Sequence, residues 1–320
     1  MTKGMNLQRL FEIIKIRCVK SFPLVRLLLS KIGLSGLNFN IPAMIIAAVG
    51  GGVLLPFALL FNLFYKLNGK LALGSCAIII TTHCTLKCRN CSYMIPHYKH
   101  PKNMELPEIL SDIDKLLSIS DLIFAFYIAG GEPFIHKDID VIINKIVNTD
   151  KIKSLNITTN GTIIPDQKVI QSLHNKKTTV QISGYPKELV KNADKFMEIL
   201  RRHKIRFTYS KDLIWKDNNA GVNKNRNIAQ RKRIFEICVH SVCQHLINGE
   251  FHICPVSANL MNNGVMQKNE NDYVNIRDLS SQEAQKKIMA LLKSKEVAAC
   301  SYCDGATIYT PTIPPAMQIT

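Results

Sequence analysis

The chain has 320 residues, of which 47% are hydrophobic, and a formal net charge of +17 at pH 7. This length and composition suffice for one sizeable core with a small appended module. The charge does not favour nucleic-acid binding, because the densest basic run, residues 224–233, has no interleaved aromatic side chains and no recognisable binding module around it. We expect a solvated surface there, or contact with a phosphate-bearing substrate or an anionic membrane.

The first predicted element is an apolar segment at residues 32–65, which contains no charged side chain. Basic residues flank both of its ends, so the positive-inside rule keeps both ends cytoplasmic. The segment is too short for two spans of about 20 residues each, and Pro42, Pro56 and three glycines at 50–52 weaken a straight helix. We predict that residues 1–75 attach to the cytoplasmic face of the membrane by a shallow re-entrant or monotopic anchor. A buried helical hairpin is the alternative.

We expect no amino-terminal signal peptide, because no small-residue cleavage pattern follows a basic start. A cytoplasmic, reducing location is therefore expected, and there the ten cysteines are thiols or metal ligands rather than disulfides. Cys18 and Cys76 have no metal-type spacing and are expected to be reduced apolar residues.

Three cysteines follow the predicted first strand of the core, residues 76–80. Cys84, Cys88 and Cys91 have the spacing C-x3-C-x2-C. Three thiolates on one loop can hold three irons of a 4Fe-4S cluster and leave the fourth iron open to a small cofactor. A zinc site completed by His83 or His97 is the alternative.

Glycine and polar residues also follow the next predicted strands. A predicted helix over residues 106–118 leads to a strand over 122–129, which ends in Gly130-Gly131-Glu132-Pro133. Two glycines let the main chain approach a ligand closely. Strands over 155–159 and 180–183 end in Asn160-Gly161 and at Ser183. All these signals fall at the carboxyl ends of strands, where parallel α/β sheets and barrels place their sites.

These motifs together resemble the radical S-adenosylmethionine (radical SAM) enzymes. The resemblance implies an α/β fold for residues 76–233, a partial (β/α)6 TIM-like barrel whose fifth strand covers 206–210. It also implies that a 4Fe-4S cluster on Cys84, Cys88 and Cys91 binds S-adenosylmethionine through its open iron. The family usually has an aromatic residue where this chain has Asn90, and its glycine-rich signature after the fifth strand is not visible here.

The same resemblance implies a set of residues that contact the cofactor. In the family the glycine-rich turn after the second strand holds the methionine ammonium group, and polar residues at later strand ends contact the rest of the molecule. The residues at these positions are Gly130, Gly131, Glu132, Asn160 and Ser183.

Four later cysteines have the spacing of a second metal site. Cys238 and Cys254 enclose a predicted hairpin at Asn248-Gly249 in the pattern C-x10-G-x4-C, and Cys300-x2-Cys303 follows. This layout resembles the twitch module, a short form of the SPASM domain, which implies an auxiliary 4Fe-4S cluster in a small hairpin and helix domain at residues 234–320. Cys243 is the alternative to Cys238 as a ligand, and a structural zinc site on the same four residues is the alternative metal.

The resemblance implies reductive cleavage of S-adenosylmethionine to a 5'-deoxyadenosyl radical, which abstracts hydrogen from the substrate, with electrons supplied by a flavodoxin or ferredoxin. We expect a saccharide, an aminocyclitol or a lipid-linked sugar as substrate, and oxidation as the reaction. The alternatives are a maturase that modifies a peptide or protein, and a non-catalytic iron-sulfur or zinc-binding membrane adaptor. No catalytic acid or base stands out among the residues near the expected substrate mouth, which are Tyr209, Trp215, His240, His245 and His252.

Overall fold

The computed structural model describes residues 68–211 and 213–319. The predicted membrane anchor at residues 32–65 and Cys18 lie outside this range. Within the range, no helix combines the length and the apolar character needed to cross a bilayer.

Five parallel strands, alternating with helices, form one side of an eight-stranded sheet, in the order β5-β4-β3-β2-β1 from its edge inward. Apolar runs of five or more residues between helices are typical of such buried parallel strands. The strands are β1 (Ala72–Thr81), β2 (Leu122–Gly130), β3 (Ile152–Thr159), β4 (Thr178–Ser183) and β5 (Phe207–Ser210). The helices between them are α1 (Leu106–Ile119), α2 (Ile139–Val147), α3 (Gln167–Leu173) and α4 (Ala193–Arg202). The predicted α/β fold, a partial TIM-like barrel, is confirmed.

The sheet continues beyond β1 through the segment that the sequence assigns to a second module. Its strands are β7 (Gln244–Ile247), which runs parallel to β1, and the antiparallel strands β8 (Glu250–His252) and β9 (Tyr273–Asn275). The predicted hairpin turn lies between β7 and β8, where Asn248 and Gly249 both have positive φ angles, 50° and 76°. The later helices are α5 (Ile228–Ile237), α6 (Pro255–Asn262) and α7 (Ser281–Leu291), and β6 (Trp215–Lys216) pairs with β10 (Thr312–Ile313) in a separate sheet.

The central strands have two different faces, because side chains alternate along each strand. One face is apolar and fully buried, and its side chains pack against the helices, among them Ile78, Phe126, Ile157 and Ile182. On the opposite face of β2 to β5, Ile123, Ala129 and Ile152 are also buried, and the remaining residues are half-buried or exposed. We call this half-buried or exposed part the inner face. Its residues are Ala125, Tyr127, Ser154, Asn156, Thr158, Thr179, Gln181, Ser183, Thr208 and Ser210.

Candidate metal and cofactor site

The cysteine triplet lies on the loop after β1, held against the end of β2 by main-chain hydrogen bonds. Gly131 N donates to the carbonyl oxygen of Thr81 at 2.9 Å, and Glu132 N donates to that of His83 at 2.8 Å. A Cβ atom added at Gly131 would overlap the His83 carbonyl oxygen, and one added at Gly130 would overlap that of Thr81. Both glycines therefore let the end of β2 lie close against β1 and the cysteine loop, and their contact with a cofactor stays a prediction.

Glu132 is fully buried and fastens the end of β2 to the end of β3. Its Oε1 accepts hydrogen bonds from Thr159 Oγ1 at 2.8 Å and from Phe134 N at 3.2 Å, and its Oε2 accepts one from Asn160 N at 2.8 Å. Burial raises the pKa of this carboxyl to about 7, although the three hydrogen bonds oppose the rise. The contact with a methionine ammonium group stays a prediction, whereas the contact with the β3 end belongs to the fold itself.

The raised pKa of Glu132 predicts a pH dependence of stability in the metal-free protein. Its contribution is complete below about pH 4.5 and is lost as the pH rises through about 7, because the folded state holds the proton more tightly than the unfolded state. The free energy of unfolding should therefore fall by about 3 kcal/mol across this window from this group alone. Asp272, whose pKa burial raises to about 6, adds a change of the same sign.

Urea denaturation between pH 5 and pH 8 measures this effect in Glu132→Gln, which lacks the titrating group. In this variant the free energy of unfolding should fall less steeply with pH, because the contribution of Glu132 is missing. Glu105→Gln, at an exposed carboxyl, should show the same dependence on pH as the wild type. An unchanged slope in Glu132→Gln would contradict the assignment of the raised pKa.

Asn160 contacts the cysteine loop directly. Its Nδ2 donates to Cys84 Sγ at 3.6 Å and to Thr85 Oγ1 at 3.0 Å, while its Oδ1 accepts from the main chain of Thr162. Ser183 ends β4, and its carbonyl oxygen accepts a hydrogen bond from Tyr185 N at 3.0 Å. Asn160 thus lies beside the triplet, and Ser183 lies at the end of the neighbouring strand.

Aromatic side chains that the sequence analysis did not connect with the triplet also lie beside it. The rings of Tyr185 and Trp215 meet edge to face, with centroids 5.8 Å apart, and both pack in one cluster with Cys84 and Cys91. Asn90 stands where the family usually has an aromatic residue. It adopts a positive φ of 61°, which asparagine tolerates well, and donates to Asp217 Oδ1 at 2.8 Å.

A strap formed by residues 316–319 covers the middle of the cysteine loop. Arg89 N donates to Met317 O at 2.6 Å, and Ile319 N donates to Lys87 O at 2.8 Å. Gln318 adds side-chain contacts, since its Nε2 donates to Cys88 Sγ at 3.3 Å and its Oε1 accepts from Lys87 N at 2.8 Å. Hydrogen bonds to a ligand sulfur are one of the features by which proteins tune iron-sulfur clusters.

In the metal-free protein the three thiols of the loop are protonated. Burial raises the pKa of Cys84 to about 12 and that of Cys88 to about 11, and it also raises the pKa of Cys91. Nearby N–H donors, including Leu86 N to Cys84 Sγ at 3.5 Å, oppose the rise and favour the thiolate. A metal that binds here must therefore displace protons.

A second group of cysteines surrounds one small cavity. Cys238, Cys254, Cys300 and Cys303 all line it, whereas Cys243 does not and instead donates its thiol to Val239 O at 3.6 Å. Main-chain amides point at three of the four sulfurs, at 3.2 to 3.3 Å, from Ala306 to Cys238, from Ser257 to Cys254 and from Gly305 to Cys303. Burial raises the pKa of all four thiols.

His240 also lines this cavity. Its Nδ1 is buried without a hydrogen-bond partner, and burial lowers the pKa of the ring to about 4. A buried polar atom normally has a partner. The cavity thus has four thiols, main-chain amides directed at the sulfurs and an unpartnered ring nitrogen. This set of groups fits an iron-sulfur cluster, in which each thiolate binds its own iron.

Part of the basic run at residues 224–233 contacts this second group of cysteines. Arg226 donates to Cys300 O at 2.9 Å and to Cys303 O at 2.8 Å, and it forms an ion pair with Asp304. Lys224 also pairs with Asp304, at 3.3 Å. A further residue of the run, Arg231, pairs with Glu296, while Lys232 and Arg233 are exposed. The run therefore supports the Cys300-x2-Cys303 turn as well as facing solvent.

The remaining candidate residues of the sequence analysis divide between the sheet faces. His245 Nε2 lies 3.2 Å from the hydroxyl of Tyr93, with the two rings edge to face. Tyr209 lies on the helix side of β5, next to Ile182, and packs on the core. His252 is buried, 3.4 Å from Glu250 and stacked on Tyr273. Within residues 68–211 and 213–319, no three His, Cys, Asp or Glu side chains are placed to hold a single metal ion.

Residues 78–210 match the family model of the Radical SAM superfamily. This part of the chain is a radical SAM domain. The match runs from β1 to the end of β5, so it includes the cysteine triplet and the strand-end residues Glu132, Asn160 and Ser183.

Curated relatives share the radical SAM domain over part of their length. An S-adenosylmethionine-dependent nucleotide dehydratase of Selenomonas ruminantium is 34% identical over 106 residues, which cover 32% of this chain and 38% of the relative. A GTP 3',8-cyclase of Alkaliphilus oremlandii (strain OhILAs) is 31% identical over 127 residues, which cover 39% and 37%. This chain thus spans less than two fifths of the length of these relatives.

Among solved structures, BtrN in complex with AdoMet and 2-DOIA is similar to this chain with a TM-score of 0.47 and 14% identity. The match covers 76% of this chain and 100% of BtrN. SuiB of Streptococcus suis, bound to the precursor peptide SuiA, matches with a TM-score of 0.42 and 14% identity, over 78% of this chain and 74% of SuiB.

Proposed function

We propose that this chain is a radical SAM enzyme with an auxiliary 4Fe-4S cluster, which acts on a saccharide, an aminocyclitol or a lipid-linked sugar. The proposal rests on the separation of seven cysteines into two groups. Cys84, Cys88 and Cys91 share the loop after β1, and the four later cysteines line a single cavity. An electron carrier or adaptor has no need of a cofactor cradle at the Gly130-Gly131 turn, which favours the enzyme.

The residues of the first group have distinct parts in this proposal. The three thiolates would hold the cluster, while Asn160 and Gln318 donate hydrogen bonds to the sulfurs of Cys84 and Cys88. When bound, the reduced cluster and S-adenosylmethionine supply a 5'-deoxyadenosyl radical that abstracts a hydrogen atom from the substrate. Gly130, Gly131, Glu132 and Ser183 would orient the cofactor at the carboxyl edge of the sheet, where the protein contributes binding and exclusion of water.

The second group favours an oxidation. Converting an alcohol to a ketone removes a hydrogen atom, a proton and an electron, and an auxiliary cluster, when bound, supplies an acceptor for that electron. Cys238, Cys254, Cys300 and Cys303 would be its ligands, since Cys243 does not line the cavity. A flavodoxin or ferredoxin would deliver the electron that starts the reaction. The proposed location is the cytoplasm, with residues 1–75 on the membrane surface.

Iron analysis and cofactor cleavage test both halves of the proposal. The protein should be purified without oxygen and reconstituted, and 5'-deoxyadenosine release should be measured with dithionite as the reductant. We expect about eight irons per chain, and about four in Cys84→Ala/Cys88→Ala/Cys91→Ala, with no 5'-deoxyadenosine release in that variant. Zinc in place of iron, or a filled first cluster without cleavage, would contradict the proposal.

A matched control separates the ligands from other thiols of the chain. Cys243→Ala should keep about eight irons, whereas Cys238→Ala should lose those of the second cluster. The opposite result would assign the ligand position to Cys243.

A further inference from the structure

We propose that the inner face of β2 to β5 binds the reacting part of the substrate and selects an uncharged, hydroxyl-rich group, with Asn156 and Gln181 as specificity-determining residues. This inference rests on the proposed function and narrows its substrate class. It starts from strand register, since Tyr127 pairs with Asn156, Asn156 with Thr179, Thr158 with Gln181, and Gln181 with Thr208.

Side chains at paired positions of neighbouring parallel strands point to the same face of the sheet. The polar members therefore form a continuous surface across three strands. Asn156, Thr158, Thr179 and Gln181 are half-buried, and Thr208 is exposed, whereas their neighbours on the helix side of β3 and β4, such as Leu155 and Val180, are fully buried. This surface is thus open to a molecule that enters from the carboxyl edge of the sheet.

The inner face leads to the cysteine triplet. Ser183, the last inner-face residue of β4, accepts a main-chain hydrogen bond from Tyr185 N at 3.0 Å, and Tyr185 packs in the same cluster as Cys84 and Cys91. A substrate on the inner face would therefore lie next to the place proposed for the cofactor. In parallel α/β folds, binding sites occupy this same end of the strands.

The two amides at the centre of this surface can both donate and accept hydrogen bonds. Gln181 Nε2 donates to Asn156 Oδ1 at 3.2 Å, and Thr158 Oγ1 lies 3.5 Å from Gln181 Oε1. Among the described residues, none accepts a hydrogen bond from Asn156 Nδ2. Side-chain amides and hydroxyls together match the mixed donors and acceptors of sugar hydroxyl and acetamido groups.

None of the ten inner-face residues is charged. A phosphate or carboxylate placed there would lose its hydration without gaining a cation, which is costly. An apolar side chain would instead offer no acceptor to Asn156 Nδ2, and sites built around hydrogen bonds discriminate strongly against ligands that lack the partner groups. The surface therefore favours a neutral polyol over a nucleotide triphosphate or an apolar peptide side chain.

The test uses reconstituted full-length protein and four probes, namely scyllo-inositol, N-acetylglucosamine, glucose 6-phosphate and GTP. Saturation-transfer NMR measures binding, and 5'-deoxyadenosine release measures the effect of each probe on cofactor cleavage. We expect the two neutral probes to bind and to raise the release. The variants Asn156→Leu and Gln181→Met, which keep the side-chain size, should weaken that binding about tenfold. Lys153→Met, at an exposed residue on the helix side of β3, is the matched control and should bind like wild type.

A variant that gains a new ligand preference distinguishes a direct role in binding from a loss of binding caused by misfolding. Gln181→Glu places a carboxylate on the inner face, so it should prefer glucosamine, which carries an ammonium group, over N-acetylglucosamine. Tighter binding of GTP or glucose 6-phosphate than of the neutral probes, or no binding of either neutral probe, would overturn the inference. Basal 5'-deoxyadenosine release without any probe reports the proposed function separately, so its loss together with intact probe binding would reject that function alone.

Discussion

Replacing Gly131 by alanine should abolish the first metal site while leaving the second intact. The added Cβ would overlap the His83 carbonyl oxygen, which belongs to the main chain directly before Cys84. No side-chain rotation relieves an overlap with main chain, so the cysteine loop must move away from the β2 end and lose the Glu132 N to His83 O hydrogen bond. We expect a loss of about 3 kcal/mol or more in the free energy of unfolding. Iron content should fall from about eight to about four per chain.

Iron analysis, electron paramagnetic resonance and urea denaturation check this expectation. Gly264→Ala is the control, because a Cβ added at Gly264 meets no atom within 4 Å, although its φ is 76°. That variant should lose only the conformational cost of about 1 kcal/mol and keep both clusters. A Gly131→Ala protein with wild-type iron content and stability would show that the loop tolerates the displacement.

The sequence predicts β2, β3 and β4 well because a glycine or polar residue marks the carboxyl end of each of them. An apolar run precedes that residue in β2, and alternating apolar residues precede it in β3 and β4. Thus the strand predicted at residues 155–159 lies within β3, and the helix predicted at 106–118 lies within α1. Asn-Gly at 248–249 likewise predicts the β7–β8 turn, because its two residues readily adopt positive φ.

The contacts around the cysteine triplet could not be predicted in the same way. Gln318 is separated from Cys88 by 230 positions in the sequence, and the strap that contains it has no periodic pattern. The role of Gly131 was predicted only in part, since the sequence indicates close main-chain approach but not the partner. Asn90 was a departure from the family pattern, and its hydrogen bond to Asp217 follows from a loop 127 residues away.

The contacts on the inner face could not be predicted from the sequence either. The sequence places Ser183 and Asn160 at strand ends, but it does not show that Asn156 and Gln181 face one another across β3 and β4. That contact depends on the register between β3 and β4. A different register would bring other residues together, although the sequence pattern along each strand would be the same. Substrate recognition therefore becomes visible only when the strands are paired.

Replacing Arg226 by methionine should remove the second metal site and spare the first. The guanidinium group donates to the carbonyl oxygens of both Cys300 and Cys303 and pairs with Asp304, so it fixes the turn that presents these two thiols. Arg226 is largely buried, with 17% of its side chain exposed. Methionine has a comparable length but no donor, so it would leave two carbonyl oxygens without their partner and Asp304 with Lys224 as its remaining ion-pair partner.

Iron content should fall from about eight to about four per chain in Arg226→Met, and the electron paramagnetic resonance signal of the first cluster should remain. Cofactor cleavage without substrate should continue, because the cysteine triplet and the Gly130-Gly131 turn do not contact Arg226. Oxidised product should be lost, since the electron acceptor is missing. The control is Arg233→Met, an exposed residue of the same basic run, which should keep both clusters. Equal iron in the two variants would show that the Cys300-x2-Cys303 turn holds its shape without the guanidinium, and would leave the cysteine spacing alone to account for the second site.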